Sequence, residues 1–172
     1  YGPFRARFWA VNHSVPDALG VMLGTPAGNV IHTGDIKLDQ TPLDGRPTDL
    51  PALSRYGDEG VDLMLCDSTN ANIPGVSASE GDIPATFNRL VASARQRVII
   101  ASFASNVYRV QAAIDAAVNA GRKVAFNGRS MMRNMEIAEK MGFLRVPRGT
   151  IVSIEDAAKM APHKVVLITT GT

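Results

Sequence analysis

Cysteine is all but missing from this chain. Cys66 stands alone among 172 residues, so no internal disulfide braces the fold. It follows the apolar run Val61, Leu63, Met64 and Leu65 and is expected as a buried strand residue. Long apolar stretches are missing as well. None approaches the roughly 20 residues a membrane-spanning helix needs, and no basic-then-apolar leader opens the chain. These absences point away from a membrane and toward a cytoplasmic protein. Histidine is scarce, with His13, His32 and His163 widely separated. Neither an H-x-H nor a C-x-x-C spacing occurs, so no compact metal motif is legible. Internal repeats and low-complexity tracts are not seen. There is no initiator Met, and the sequence stops directly after an apolar strand at Thr169-Thr170-Gly171-Thr172. Truncation at both ends is the expectation.

What is present favours a packed protein. Apolar residues make up 45% and charged residues 20%, which excludes a disordered chain and allows one ordinary domain or one and a half small ones. The net charge of +2 hides an asymmetry. Residues 1–100 carry 8 Lys/Arg against 11 Asp/Glu, and residues 101–172 carry 10 against 5. An acidic half suits metal, and a basic half suits a phosphate backbone.

Two textures divide the chain. Up to about residue 60 it reads as antiparallel strands and long turns. Phe4 to Val11 alternates as a half-exposed strand does. Residues 18–23 and 30–32 flank Thr25-Pro26-Ala27-Gly28, where Pro and Gly suit a tight hairpin turn. Residues 38–60, rich in Asp, Gly and Pro, read as a long loop with room for one helical turn. From residue 61 the rhythm becomes strand, helix, strand. Strands are expected at 61–66, 97–102, 123–127 and 164–169, and helices at 82–95, 106–120 and 130–141. Val107, Val110, Ile114 and Val118 form one apolar stripe on the second helix. Ser105 is expected to cap it, and Gly121 to end it. Met131, Met135 and Ala138 share a face of the third helix, with Gly142 after it. Such alternation implies a parallel sheet with right-handed crossovers.

Ligands of open parallel sheets bind beyond the carboxyl ends of the strands. Each expected strand of the second half ends in polar residues: Asp67-Ser68-Thr69-Asn70, then Ser102 with Ser105-Asn106, then Asn127-Gly128-Arg129-Ser130, then Thr169-Thr170-Gly171-Thr172. Each cluster alone reads as an ordinary cap or turn. Four on one edge, one carrying Arg129, favour a phosphate-bearing ligand. The first half offers His13 and Asp35, each just after a strand. Imidazole and carboxylate suit zinc or manganese, and a bridging carboxylate holds two ions close enough to clamp a phosphodiester. The plain alternative is a surface histidine and a Gly-Asp turn.

The ordered runs Asn12-His13-Ser14-Val15-Pro16-Asp17-Ala18, His32-Thr33-Gly34-Asp35-Ile36-Lys37, Cys66-Asp67-Ser68-Thr69-Asn70-Ala71, Ala101-Ser102-Phe103-Ala104-Ser105-Asn106, Gly128-Arg129-Ser130-Met131 and Ile168-Thr169-Thr170-Gly171-Thr172 together resemble ribonuclease J. That family joins a metallo-β-lactamase fold to an inserted β-CASP domain. The resemblance implies an α/β chain: a partial metallo-β-lactamase β-sheet segment at 1–75, then a Rossmann-like parallel β-CASP domain at 76–172, incomplete at its C-terminus. It implies a zinc-dependent ribonuclease with 5′-to-3′ exonuclease and endonuclease action in mRNA decay and rRNA processing. Two zinc ions, or manganese, would be the cofactors, RNA the partner, and a homodimer or homotetramer the assembly. His13 would bind one metal ion and Asp35 would bridge both. Asp67 would be the catalytic acid beside them, orienting a histidine or a metal-bound water. Phe103, Ser105, Asn106, Arg129, Ser130 and Thr170 fall in stretches that line the RNA channel or monophosphate pocket. The family's H-x-H-x-D-H motif, source of most metal ligands, would precede residue 1, and its late histidines would follow Thr172. This chain is therefore expected to hold an incomplete metal centre and to be inactive by itself. The competing readings are a non-catalytic RNA- or nucleotide-binding module and another metallo-β-lactamase-fold hydrolase.

Overall fold

The computed structural model describes residues 2–171. The chain forms two compact units. One runs to His13 and resumes over Asp17–Glu80; the other comprises Ser14–Pro16 and the chain from Gly81 onward. Among the described residues, no helix is long and apolar enough to cross a membrane.

The first unit is a four-stranded sheet in the order β1-β2-β3-β4, with β1 at Arg5–Ala10, β2 at Leu19–Thr25, β3 at Gly28–His32 and β4 at Leu63–Leu65. The β2–β3 hairpin turns through Pro26-Ala27 as expected. The Thr25 hydroxyl accepts from the Ala27 amide and donates to the Gly28 carbonyl. β1, β2 and β3 pair antiparallel, whereas β4 pairs parallel with β3, Ile31 opposite Met64. Trp9, Val11, Met22 and Ile31 face one side of this sheet. They are covered by α1, Leu50–Glu59, through Ala52 and Tyr56. The fit is close, because a Cβ on Gly20 would lie 2.5 Å from the Trp9 indole.

Helix α1 corrects the long-loop reading of 38–60. The residues that suggested a loop are start and stop signals. Asp49 is the N-cap, its carboxylate accepting from the Ala52 amide; Pro51 lies in the first turn, and Gly60 ends the helix at φ +87. Two further expectations change. The strand at 61–66 shortens to β4 and belongs to the first sheet rather than to the second. Cys66 is exposed, not buried, as are Leu63, Met64 and Leu65 before it on this edge strand.

The second unit is a parallel three-stranded sheet in the order β5-β7-β6, with β5 at Val98–Ser102, β6 at Lys123–Asn127 and β7 at Val165–Thr170. The first crossover skips a position and the second returns to fill it. One face carries α2 (Ile83–Ser93), α3 (Val107–Asn119) and α4 (Arg129–Lys140) over a core that includes Val110, Ile114, Val124, Met131, Met135 and Ile168. The opposite face holds α5, Ile154–Lys159, a helix the sequence reading did not foresee, through Ala157 against Ala125 and Val165. Its Ser153 cap accepts from the Asp156 amide. At six residues it is too short to show an apolar period.

The expected helix faces hold, with two adjustments on α3. Its N-cap is Asn106, whose side chain accepts from the Arg109 amide; Ser105 lies one residue outside. Its stripe is buried at Val107, Val110 and Ile114, but Val118 is 38% exposed. Four residues advance a helix by about 400°, so the stripe drifts off the face and Ala113 and Ala117 complete the contact. Gly121 ends α3 at φ +65. It donates to Val118 while Arg122 donates to Ala117, the paired closing bonds of a left-handed cap. Arg122 is then buried, with its guanidinium on the Ala94 and Gln96 carbonyls.

Candidate functional site

Three strands of the first sheet run the same way: β3 opposes β2, β2 opposes β1, and β4 follows β3. Residues just past their C-terminal ends therefore emerge together. His13 follows β1, Asp35 follows β3 and Asp67 follows β4. His13 Nε2 lies 3.5 Å from Asp35 Oδ2, with Asp35 largely in solvent. Asp67 is held more firmly. Its Oδ1 accepts from the Thr69 amide at 2.9 Å and its Oδ2 from the Ile36 amide at 3.2 Å. Thr69 and then Ile36 hold its carboxyl below the usual range; burial opposes this, and His13 adds a smaller pull in the same direction. Asp67 is thus a carboxylate with a backbone donor on each oxygen, close to the His13–Asp35 pair.

The strip after Asp35 is pinned to its surroundings. Lys37 donates its amide to the Asn12 carbonyl at 2.7 Å. The buried Thr48 hydroxyl accepts from the Asn12 amide and donates to the Lys37 carbonyl, both at 2.9 Å. The buried Thr33 hydroxyl accepts from the Asp67 amide at 3.0 Å. Gly34 takes φ +63, and a Cβ there would sit 3.0 Å from the Leu19 carbonyl, so glycine fits the turn that delivers Asp35. Thr33 and Thr48 were not singled out from the sequence. A buried threonine bridging two loops leaves no periodic signal. His32 serves the same turn, Nδ1 accepting from the Gly34 amide.

Imidazole and carboxylate are suitable donors for zinc or manganese. Their number falls short. Among the described residues no group of three or more His, Cys, Asp or Glu converges to hold a metal ion, and a zinc site takes three or four protein ligands. His13 and Asp35 fit such a site in kind but do not form one alone, so no step through a metal is derived from this chain.

The second unit presents a different edge. The register pairs Ser102 with Thr170 and Asn127 with Thr169, so the ends of β5, β7 and β6 lie side by side. Phe103, Ser105 and Asn106 follow β5; Arg129 and Ser130 follow β6; Thr170 ends the central strand. The cluster at Asp67-Ser68-Thr69-Asn70 is not among them, since β4 lies in the other sheet. Phe103 is 74% exposed, which opposes a core role. Asn106 is buried and committed to its cap. Gly128 has φ +107, and a Cβ on it would sit 3.2 Å from Thr170 Oγ1. The chain lies close beside the end of β7 at that point and delivers Arg129 and Ser130 at the open start of α4, where Gly128 offers no side-chain cap. Beyond β6 lies a hollow of about 630 Å³ walled by Phe126, Met132, Met135, Leu144 and Ile151, with Asn127 and Arg129 at its rim.

Known proteins match this chain along its whole length. Residues 95–172 match the family model "Ribonuclease J, beta-CASP domain". The chain is 77% identical over 171 residues to Ribonuclease J of Corynebacterium glutamicum, covering 99% of this chain and 24% of that protein. It is 60% identical to Ribonuclease J of Mycobacterium tuberculosis, covering 100% of this chain and 31% of that protein. Against Ribonuclease J of Helicobacter pylori it is 40% identical, covering 99% and 25%. The chain thus spans about a quarter to a third of the curated relatives it matches. A crystal structure of a protein of unknown function from Enterococcus faecalis matches with a TM-score of 0.64 at 16% identity, covering 99% of this chain and 42% of that one; it speaks for the fold alone. Matched over 99–100% of its own length by relatives 40–77% identical to it, the chain belongs to the ribonuclease J family.

Proposed function

We propose that this chain is part of a metal-dependent ribonuclease that hydrolyses RNA phosphodiesters, by 5′-to-3′ exonuclease and endonuclease action. The observation that carries the reading is the emergence of His13, Asp35 and Asp67 at one end of three co-directional strands, in a chain whose relatives are ribonucleases J. His13 and Asp35 would supply two donors to a centre holding two zinc or manganese ions. Such ions, when bound, would lower the pKa of a bound water toward neutrality and stabilise negative charge on the phosphodiester. Asp67 holds its carboxylate ionised beside them and positions a proton-carrying partner or a water. RNA would lie along the second unit's edge. Phe103 would stack on a base. Arg129 would pair with a phosphate, and the free amides of α4 with the Ser130 and Thr170 hydroxyls would add neutral donors. Ser105 lies beside Phe103, and Asn106 acts by holding the start of α3. Roles in mRNA decay and rRNA processing, a cytoplasmic place and assembly as a homodimer or homotetramer belong to the same proposal.

The test is Asp35→Ala in the full-length protein, assayed on 5′-monophosphorylated RNA at matched metal content. Loss of at least about a hundredfold in kcat is expected, the scale of removing a principal electrostatic group. Near wild-type turnover would defeat the role. The shortfall of metal donors among the described residues favours a second reading for the chain taken alone, as a non-catalytic RNA-binding module. Cleavage by the purified chain, abolished by His13→Ala, would overturn it.

A further inference from the structure

Asp39 is a buried carboxylate of the first unit with three hydrogen-bond donors. It is 4% exposed. Its Oδ1 accepts from the Ser79 hydroxyl at 2.7 Å and the Thr41 amide at 3.1 Å, and its Oδ2 accepts from the Glu80 amide at 2.9 Å. Lys37 Nζ stands 3.5 Å from the same Oδ2 and donates to the Ala78 carbonyl at 2.8 Å. The Thr41 and Ser79 hydroxyls lie 2.8 Å apart. Apart from the local bond from Thr41, these contacts tie the strip after Asp35 to the last residues of the first unit, which ends at Glu80.

The stretch between β4 and that clasp is unusual. Residues 68–79 carry no charge and form no helix or strand, and 68–78 are exposed throughout. The loop starts at Asp67, held by Thr33 and Ile36, and ends at Ser79 and Glu80, held by Asp39. Both feet therefore stand on one strip, 33–41, and Asp35 lies between the two residues, Thr33 and Ile36, that hold the first. An exposed, uncharged loop cannot fix its own ends by core packing. A buried carboxylate with three donors can, because leaving any of them unmet in the interior is costly.

We propose that Asp39 is a positioning residue for the candidate centre: by clasping Ser79 and Glu80 to the strip that bears Asp35, it holds the Asp35 turn and the Asp67 loop in fixed relation. This rests on the nuclease reading for its catalytic consequence, but the clasp is a property of the fold. Asp39 makes no contact with RNA or metal in this role and acts through Asp35 and Asp67.

The test is Asp39→Asn in the full-length, metal-loaded protein, with Ser79→Ala as a milder second variant should the first fail to fold. Amide exchange at Thr41 and Glu80 is expected to speed up about tenfold or more, as for a local opening. Exchange in β1–β3 should be unchanged. On monophosphorylated RNA, kcat should fall about tenfold, below the hundredfold that a 1 Å misplacement can cost, with KM within about twofold and metal content unchanged. Unaltered exchange in a folded variant would overturn the clasp. Faster exchange with unaltered kcat would reduce Asp39 to a structural residue and overturn the positioning role. If the wild-type protein cleaves no RNA, the nuclease reading fails, and the exchange measurement still decides the clasp.

Discussion

The two units solve one problem, presenting polar groups at strand ends, by different means. The second unit does it with apolar mass. Fourteen buried residues form its main core, and the polar edge sits on strands and helix starts that this core makes rigid. The first unit has six such residues. Its His13, Asp35 and Asp67 stand on irregular chain beyond the strands, held by hydroxyls, amides and the Asp39 carboxylate. A packed core fixes whole elements, whereas a buried hydrogen-bond network fixes individual turns. The latter suits groups whose separations must be set one by one.

The contrast can be broken experimentally. Its largest expected expression is Ile114→Ala. This residue is fully buried on the inner face of α3, and loss of such a side chain costs about 2–5 kcal/mol. Denaturant unfolding should show that loss, and amide exchange should rise in α3 and β6 while the amides of Ile36 and Thr69 keep their protection. Loss of protection at those two amides would mean that core and network are not separable. Next is Gly20→Ala, which overpacks the small core of the first unit against Trp9. About 1–3 kcal/mol of destabilisation is expected, visible as a change in Trp9 fluorescence and a lower unfolding midpoint. An unperturbed midpoint would show that this core is looser than the contact implies.

Smaller is the effect of acid on the clasp. Burial pushes the Asp39 carboxyl up, but donation from Glu80, Ser79 and Thr41 with the charge of Lys37 outweighs it and brings it down to about 2. Its folded value is therefore below its unfolded one, near 3.8. The stabilisation is present in full above about pH 4 and is lost as pH falls toward 2. The stability gap between wild type and Asp39→Asn should be widest above that window and close within it, measured by unfolding at stepped pH. A gap that grows on acidification would contradict the assignment. The smallest effect is Asn106→Ala, which removes the cap of α3 and should cost about 1 kcal/mol, with Asn106→Asp recovering most of it. If Ser105→Ala had the larger cost instead, the cap would be misplaced by one residue.

Much of the second unit was legible because its elements are long and periodic. Met131, Met135 and Ala138 are buried as their spacing implied, and Gly121 and Gly142 close their helices at positive φ. Legibility failed where one residue type serves two purposes. Asp49 and Pro51 begin a helix yet resemble loop residues. Ser105 and Asn106 are both good caps, and backbone direction chose the second. Strand β4 carries an apolar run like that of a buried parallel strand, yet Leu63, Met64 and Leu65 are about half exposed, and pairing with β3 assigned it to the other sheet.

The opening scarcity of cysteine and histidine had already excluded a disulfide frame and a compact zinc motif. The sequence by itself determined the α/β class, the order of the motifs and the chemical identity of His13, Asp35 and Asp67, since these depend on residue type and local period. Only the tertiary structure decided that these three emerge at one end of one sheet, that the strand before Asp67 belongs to the first sheet, and that Thr33 and Thr48 hold the turns. Strand pairing and buried hydrogen bonds join residues tens of positions apart, and no local pattern records which distant donor a carboxylate will meet.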